Sequence, residues 1–161
     1  MSVSLYGSGQ TVIQVATSSL TTTVSNNGSA WVDTGLTVTI TPSASTSKFL
    51  IQWAIPNNNS TTAASVGFNL VRNGTNIAQG TGGTTNITSS NDSGGSAHAG
   101  VNSLVYLDSP ATSSAITYKV QFRAQSSTTG YINQTASLNG GTDVYQSGFI
   151  SNLVVMEISG S

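Results

Sequence analysis

The side chains of this sequence that could do chemistry are few. There are five acids (Asp33, Asp92, Asp108, Asp143 and Glu157), one histidine (His98), two tryptophans, five tyrosines and no cysteine. Two of the acids could in principle serve a glycosidase, one protonating the leaving oxygen and the other acting as base or nucleophile. Asp33 and Asp108 lie beside turn signals, however, where Asp side chains cap backbone N–H groups. Asp92 and Asp143 also lie in loop-like sequence. No nucleophile, base and orienting group can be assembled from this set, so the expected function is not enzymatic. No Asp-x-Asp-x-Asp loop is present for calcium. His98 has neither a second histidine nor a cysteine to complete a transition-metal set. No cofactor is expected.

Glu157 is the unusual acid. It stands in an apolar run with Val155, Met156 and Ile158. A lone carboxylate there must be hydrogen-bonded, paired or exposed. Lys48, Lys119 and Arg123 are the candidate partners. Among the aromatics, Trp53 keeps phase with Phe49 and Ile51 and reads as core. Trp31 and Tyr131, near strand ends, are better placed to offer a face to a sugar ring. Two polar stretches, Asn57 to Thr62 and residues 80–100, read as loops. They contribute Asn58, Asn59, Asn91, Asp92 and His98 as candidate ligand residues, because loops on a rigid scaffold often carry specificity.

The elements that must position these groups are strands. Leu36, Val38 and Ile40 alternate with threonines until Pro42, which has no N–H to give to a ladder. Phe49, Ile51, Trp53 and Ile55 alternate next, and Pro56 is read as their stop. Val66, Phe68 and Leu70 lead to Asn73-Gly74, a dipeptide suited to the positive φ values of a type I′ hairpin turn. Ile77 lies on the return strand. Val101 to Leu107 and Phe149 to Ile158 are apolar on both faces and are expected to be covered on both. Ile116, Tyr118, Val120 and Phe122 alternate with Lys119, Gln121 and Arg123. Shorter strands are read at Thr11 to Val15, at Leu20 to Val24 and around Tyr131 and Ile132. No segment of ten residues keeps a helical period. Eight to ten strands at this spacing predict an all-β antiparallel sandwich, most simply a jelly roll.

Composition narrows the partners. Only 6% of residues are charged and the net charge is −1. The four cations are scattered, which argues against nucleic acid and against an anionic membrane surface. No run approaches the roughly 20 apolar residues of a spanning helix, so no membrane insertion is expected. The start, MSVSLYGSGQ, lacks the basic and apolar regions of a secretory signal. Despite the abundance of Ser, Thr, Asn and Gly, disorder is rejected: 37% of residues are hydrophobic, and they fall in period-2 runs. So little charge favours association with copies of itself or with other proteins.

The order of motifs then resembles a family. Trp31-Val32-Asp33-Thr34-Gly35-Leu36, the Ile40-Thr41-Pro42 stop and the Ser47-Lys48-Phe49-Leu50-Ile51 start come first. Arg72-Asn73-Gly74, Asp108-Ser109-Pro110, Thr117-Tyr118-Lys119-Val120, Ile132-Asn133 and Met156-Glu157-Ile158 follow. Together they span most of residues 28–158. In this order they resemble bacteriophage virion proteins found in tail fibres and appendages, notably of cyanophages. The resemblance implies a trimeric jelly roll shaped like a tumour necrosis factor head, located on the phage particle. It divides the chain into an N-terminal docking arm, residues 1–25, with a possible added strand, and a head domain, residues 26–161. Leu5, Tyr6, Val12, Ile13 and Val15 are the expected docking residues. Leu153, Val155, Glu157 and Tyr118 are the expected trimer contacts. The short segment before the head favours a capsid decoration, cement, head-fibre or tail-fibre component that meets a major capsid or tail protein. The alternative is a tip protein that binds a receptor or a host surface glycan. Deleting residues 1–10 should abolish incorporation into particles while the head still folds, as judged by immunoblotting purified particles; normal incorporation would refute the docking role.

Overall fold

A computed structural model of the chain describes residues 10–61, 64–83, 86–92, 98–136 and 148–159. Among these residues there are eleven strands and no helix. One antiparallel sheet runs β1 (Val12–Leu20), β11 (Ser151–Ile158), β4 (Lys48–Asn59), β8 (Gly100–Asp108). Short β10 (Thr129–Ile132) continues the edge of β4 beyond β11 and pairs with β2 (Val24–Asn27). The second sheet runs β3 (Val32–Ile40), β9 (Ile116–Ala124), β5 (Ser65–Arg72), and β5 then pairs with both β6 (Thr75–Ile77) and β7 (Ser89–Asp92). The long strands β3, β4, β5, β8, β9 and β11 alternate between the sheets in chain order. This gives the double-sheet antiparallel sandwich expected from the sequence, with jelly-roll connections.

Period-2 burial builds the core. Leu36, Val38 and Ile40 of β3 face Phe49, Ile51, Trp53 and Ile55 of β4, with Ile116, Tyr118, Val120 and Phe122 of β9 beside them. The Phe49 and Tyr118 rings meet in a tilted pair, centroids 6.0 Å apart. The Asn73-Gly74 turn takes φ of 47° and 85°, as its sequence predicts. Near the start of β3 the ladder to β9 shifts register between Asp33 and Thr37. Gly35 absorbs the irregularity with φ of 96°. The buried Thr34 hydroxyl bridges the gap, donating to the Val120 carbonyl and accepting from Leu36 N–H.

Three expectations change. Pro56 does not stop β4: the strand runs on through Asn59, and Pro56 sits opposite Val101. A strand tolerates proline where its missing donor is not needed, and the Pro56 carbonyl still accepts from Asn133 N–H at 3.0 Å. Asn57 to Asn59 are therefore buried strand residues rather than a loop. Within residues 80–100, β7 is an ordered strand on β5. The possible added strand of the arm lies in this chain's own sandwich as residues 12–20. They pair along β11 within the same sandwich.

Replacing Gly35 by alanine places a Cβ at φ of 96°, a region L-residues avoid. The Cβ itself fits, 3.5 Å from Leu20 Cδ1. The expected loss is therefore backbone strain of roughly 1–3 kcal/mol, visible as a lowered midpoint in denaturant. An unchanged midpoint would show that β3 relaxes without needing glycine.

Candidate functional site

The ionisable groups are mostly committed to structure. Glu157 is fully buried, pointing between the sheets at the end of β11. Its Oε1 accepts from Ser43 N–H at 2.7 Å and from Ser43 Oγ at 2.6 Å, and its Oε2 accepts from Gln14 Nε2. Burial pushes its pKa up, but donors from Ser43, Ser47 and Gln14 outweigh that and hold it at about 2. The partners are thus hydroxyls, an amide and a backbone N–H rather than Lys48, Lys119 or Arg123. They tie the β3–β4 connection and β1 to β11.

Asp108, at the end of β8, accepts two bonds from Arg72 at 2.7 and 2.9 Å and one from the Tyr118 hydroxyl at 2.7 Å. Burial, then the bond to Asp108, drives the Tyr118 pKa far upward, so this phenol stays protonated. At the surface, the Lys119 bond holds Asp33 below the usual carboxylate range, against burial and with help from Gln121.

Of the candidate ligand residues, Asn58, Asn59 and Asn91 brace the fold. Asn58 and Asn59 have no exposed surface. Asn58 donates to the His98 carbonyl and accepts from Ala136 N–H, and Asn59 bonds Thr128 and Thr61. Asn91 donates to Asn57 Oδ1. Asp92 and His98 are exposed. The four expected trimer contacts are core residues: Leu153, Val155, Glu157 and Tyr118 are each 0% exposed and point inward. Of the docking residues, Leu5 and Tyr6 lie outside the described residues. Val12, Ile13 and Val15 lie on β1 and are 56%, 46% and 55% exposed.

Those three belong to a larger surface, the outer face of the β1–β11–β4–β8 sheet. Cross-strand pairing sets Val15, Met156, Leu50 and Leu107 in one row. The next row is Thr17, Val154, Gln52 and Val105. Val12, Ile158 and Lys48 form the row on one side; on the other, Ser19, Asn152, Ala54 and Ser103 form a more polar row, with Pro56 and Val101 beyond it. Val101, Val105 and Leu107 are 60%, 68% and 49% exposed, so β8 is not covered on both faces as its sequence predicted. Lys48, at one corner, is the one charged residue on these rows. Four strands about 4.8 Å apart and five rows about 6.7 Å apart outline roughly 600 Å². Its aliphatic part is smaller and falls within the range of the largest apolar patch on a soluble monomer. The sequence carried the signal, an apolar run with both phases filled, but covering by the sandwich and covering by another chain look alike in it.

No family model matches the chain, and no curated protein does. Among solved structures, the chain is similar to the infectious bursal disease virus Gx strain structure, with TM-score 0.48 and 11% identity over 92% of this chain and 41% of that one. It is also similar to the VP2 subviral particle of that virus, with TM-score 0.39 and 8% identity over 92% of this chain and 42% of that one. The chain thus spans about two fifths of the length of these structures. Likenesses this loose say nothing about function.

Glu157 gives a pH prediction. Its folded pKa lies below the ordinary 4.5, so its stabilisation is complete above that value and fades as pH falls to about 2. The full difference corresponds to roughly 3 kcal/mol. Denaturant midpoints should drop from pH 5 to pH 2. Glu157→Gln should be less stable at pH 7 and flatter over that range. Parallel pH curves for the two proteins would contradict the assignment.

Proposed function

We propose that this chain is a non-enzymatic structural component of a virus particle. It associates as a homotrimer through the outer face of the β1–β11–β4–β8 sheet, and the segment ahead of β1 docks onto a capsid or tail protein. The observation that carries this reading is the face itself: outward-facing aliphatic side chains from all four strands, interrupted by uncharged polar ones, with one corner lysine and no other charge on its rows.

A second copy is the occupant that the chemistry favours. A face nearly free of charge does not repel itself, and it offers a charged partner nothing to read. Its roughly 600 Å² approaches the ~800 Å² that each partner gives to a standard stable interface. β8, where Val101, Val105 and Leu107 are most exposed, pairs with β4 alone among the described strands. The virion assignment is supported by the ordered motifs that resemble phage appendage proteins, and by a surface too poor in charge to select partners electrostatically.

Sedimentation of the purified protein tests the reading. The expected mass is three times the 16.4 kDa of one chain. Val105→Lys adds an outward charge with little effect on the fold, within about 0.5 kcal/mol. It should give a folded species of one chain. A monomeric parent, or a Val105→Lys protein that keeps the parent's mass, would overturn the proposal.

A further inference from the structure

The opposite sheet carries a hollow of about 390 Å³. It lies over the outer face of β5 and β9, where Gly67 and Ile87 give it an apolar floor. Ser29, Ser65, Ser90 and Ser126 line it together with Arg123 and Gln125. We propose that this hollow binds an acidic sugar, with the guanidinium of Arg123 taking the sugar's carboxylate.

Arg123 is held in place rather than free to wander. Its guanidinium carbon sits 5.0 Å from the centre of the Trp31 ring, a cation–π contact that orients the plane and leaves the edge donors available. The two ion pairs among the described residues use Arg72 with Asp108 and Lys119 with Asp33. Arg123 has no carboxylate partner there. A stacked arginine with its fork unused suits a planar carboxylate, which it can bind through two parallel bonds.

Gly67 is the second, independent observation. It lies inside β5, paired with Arg123 on β9 and Ser90 on β7. Its φ is not positive, so the backbone does not require glycine. Nor does space require it: a Cβ would meet Ile87, Arg123 and Trp31 only at ordinary distances of 3.7–3.8 Å. Glycine weakens a strand interior and often marks a place where a ligand comes close. Here it keeps the floor of the hollow open.

The remaining lining fits a pyranose. The floor matches the C–H face of a sugar ring, and no hydrogen bond among the described residues engages the four serine hydroxyls. The volume is at the small end of the usual range for ligand sites, about 300–1,000 Å³, which suits one or two sugar units and exceeds a simple anion. The hollow belongs to a single chain and lies on the sheet opposite the aliphatic face. It therefore stays open whether or not copies associate there. If they do, three hollows on one particle component would raise the avidity of weak single sites.

The test compares methyl glucuronide with methyl glucoside, which differ at the carboxylate, by NMR titration of the Trp31 indole N–H and the Arg123 Nε–H. The Trp53 indole, bonded to Asn102 in the core, is the internal control. The glucuronide should shift both reporters with millimolar affinity and leave Trp53 unmoved. The glucoside should bind about tenfold more weakly or worse, as expected for losing a charge-assisted bond. Arg123→Gln should erase the difference, and Gly67→Val should weaken the glucuronide with the oligomer mass unchanged. Equal binding of both glycosides, no binding of the glucuronide at tens of millimolar, or equal competition by acetate would overturn the proposal. None of these results depends on the sedimentation outcome, so the two readings fail separately.

Discussion

The period of two in β4, held between β11 and β8, governs this molecule. Every residue that β4 sends into the core sends its neighbours to the opposite face, so Phe49, Ile51 and Trp53 inside place Leu50, Gln52 and Ala54 outside. A slip of one residue would exchange the two sets entirely. The core decides the register. Truncating one buried Leu or Ile side chain costs about 2–5 kcal/mol, whereas an exposed pair such as Lys119–Asp33 contributes at most about 1 kcal/mol. Polar fasteners then fix the ends. Trp53 Nε1 donates to Asn102 Oδ1 at 2.8 Å, joining β4 to β8. Glu157 binds Ser43 and Gln14 at one end of β11, while at the other Ser151 Oγ donates to Asn133 Oδ1 at 2.6 Å.

Much of this was legible in the sequence, for a physical reason. Alternation in β3, β4 and β9, the Asn73-Gly74 turn and the Pro42 stop are local consequences of backbone geometry. They need no knowledge of the partner strand. What the sequence hid depends on residues far apart. Asn57 to Asn59 look like a loop because asparagine is normally exposed. They are buried because distant groups, such as Thr128 and the His98 carbonyl, satisfy their amides. Pro56 passes as an interior strand residue for a similar reason, since its neighbours do not need its N–H. The partners of Glu157 were missed because Ser43 and Gln14 carry no charge to draw attention. An apolar run with both phases filled does not say which phase of β11 the sandwich covers: Leu153 and Val155 face in, and Val154 and Met156 face out. The hollow could not be read at all, because its walls come from segments as far apart as Ser29 and Ser126.

The two outer faces of the sandwich differ in chemistry. On the β1–β11–β4–β8 side aliphatic side chains predominate, interspersed with uncharged hydroxyls and amides and one lysine. On the β3–β9–β5 side stand Lys119, Gln121 and Arg123, with Trp31 and the serines of the hollow. Under the proposed assembly, the first face meets other copies and the second stays with solvent. The scarcity of charge follows from the same organisation, since strong charge on the first face would oppose close contact there. It also means that the few ionisable groups present are conspicuous. Most serve as internal ties, and Arg123 stands apart from them.

The central claim is that the aliphatic face is covered by other copies of the chain. Met156 lies in the middle of that face, between Val15 and Leu50, and its thioether reports directly on cover. The most direct measurement is its oxidation rate by dilute hydrogen peroxide, read by mass spectrometry above and below the concentration at which the copies separate. Slow oxidation in the assembled protein that becomes fast on dilution is the predicted result. Equal rates at both concentrations would mean that the face stays open to solvent, and would contradict the account.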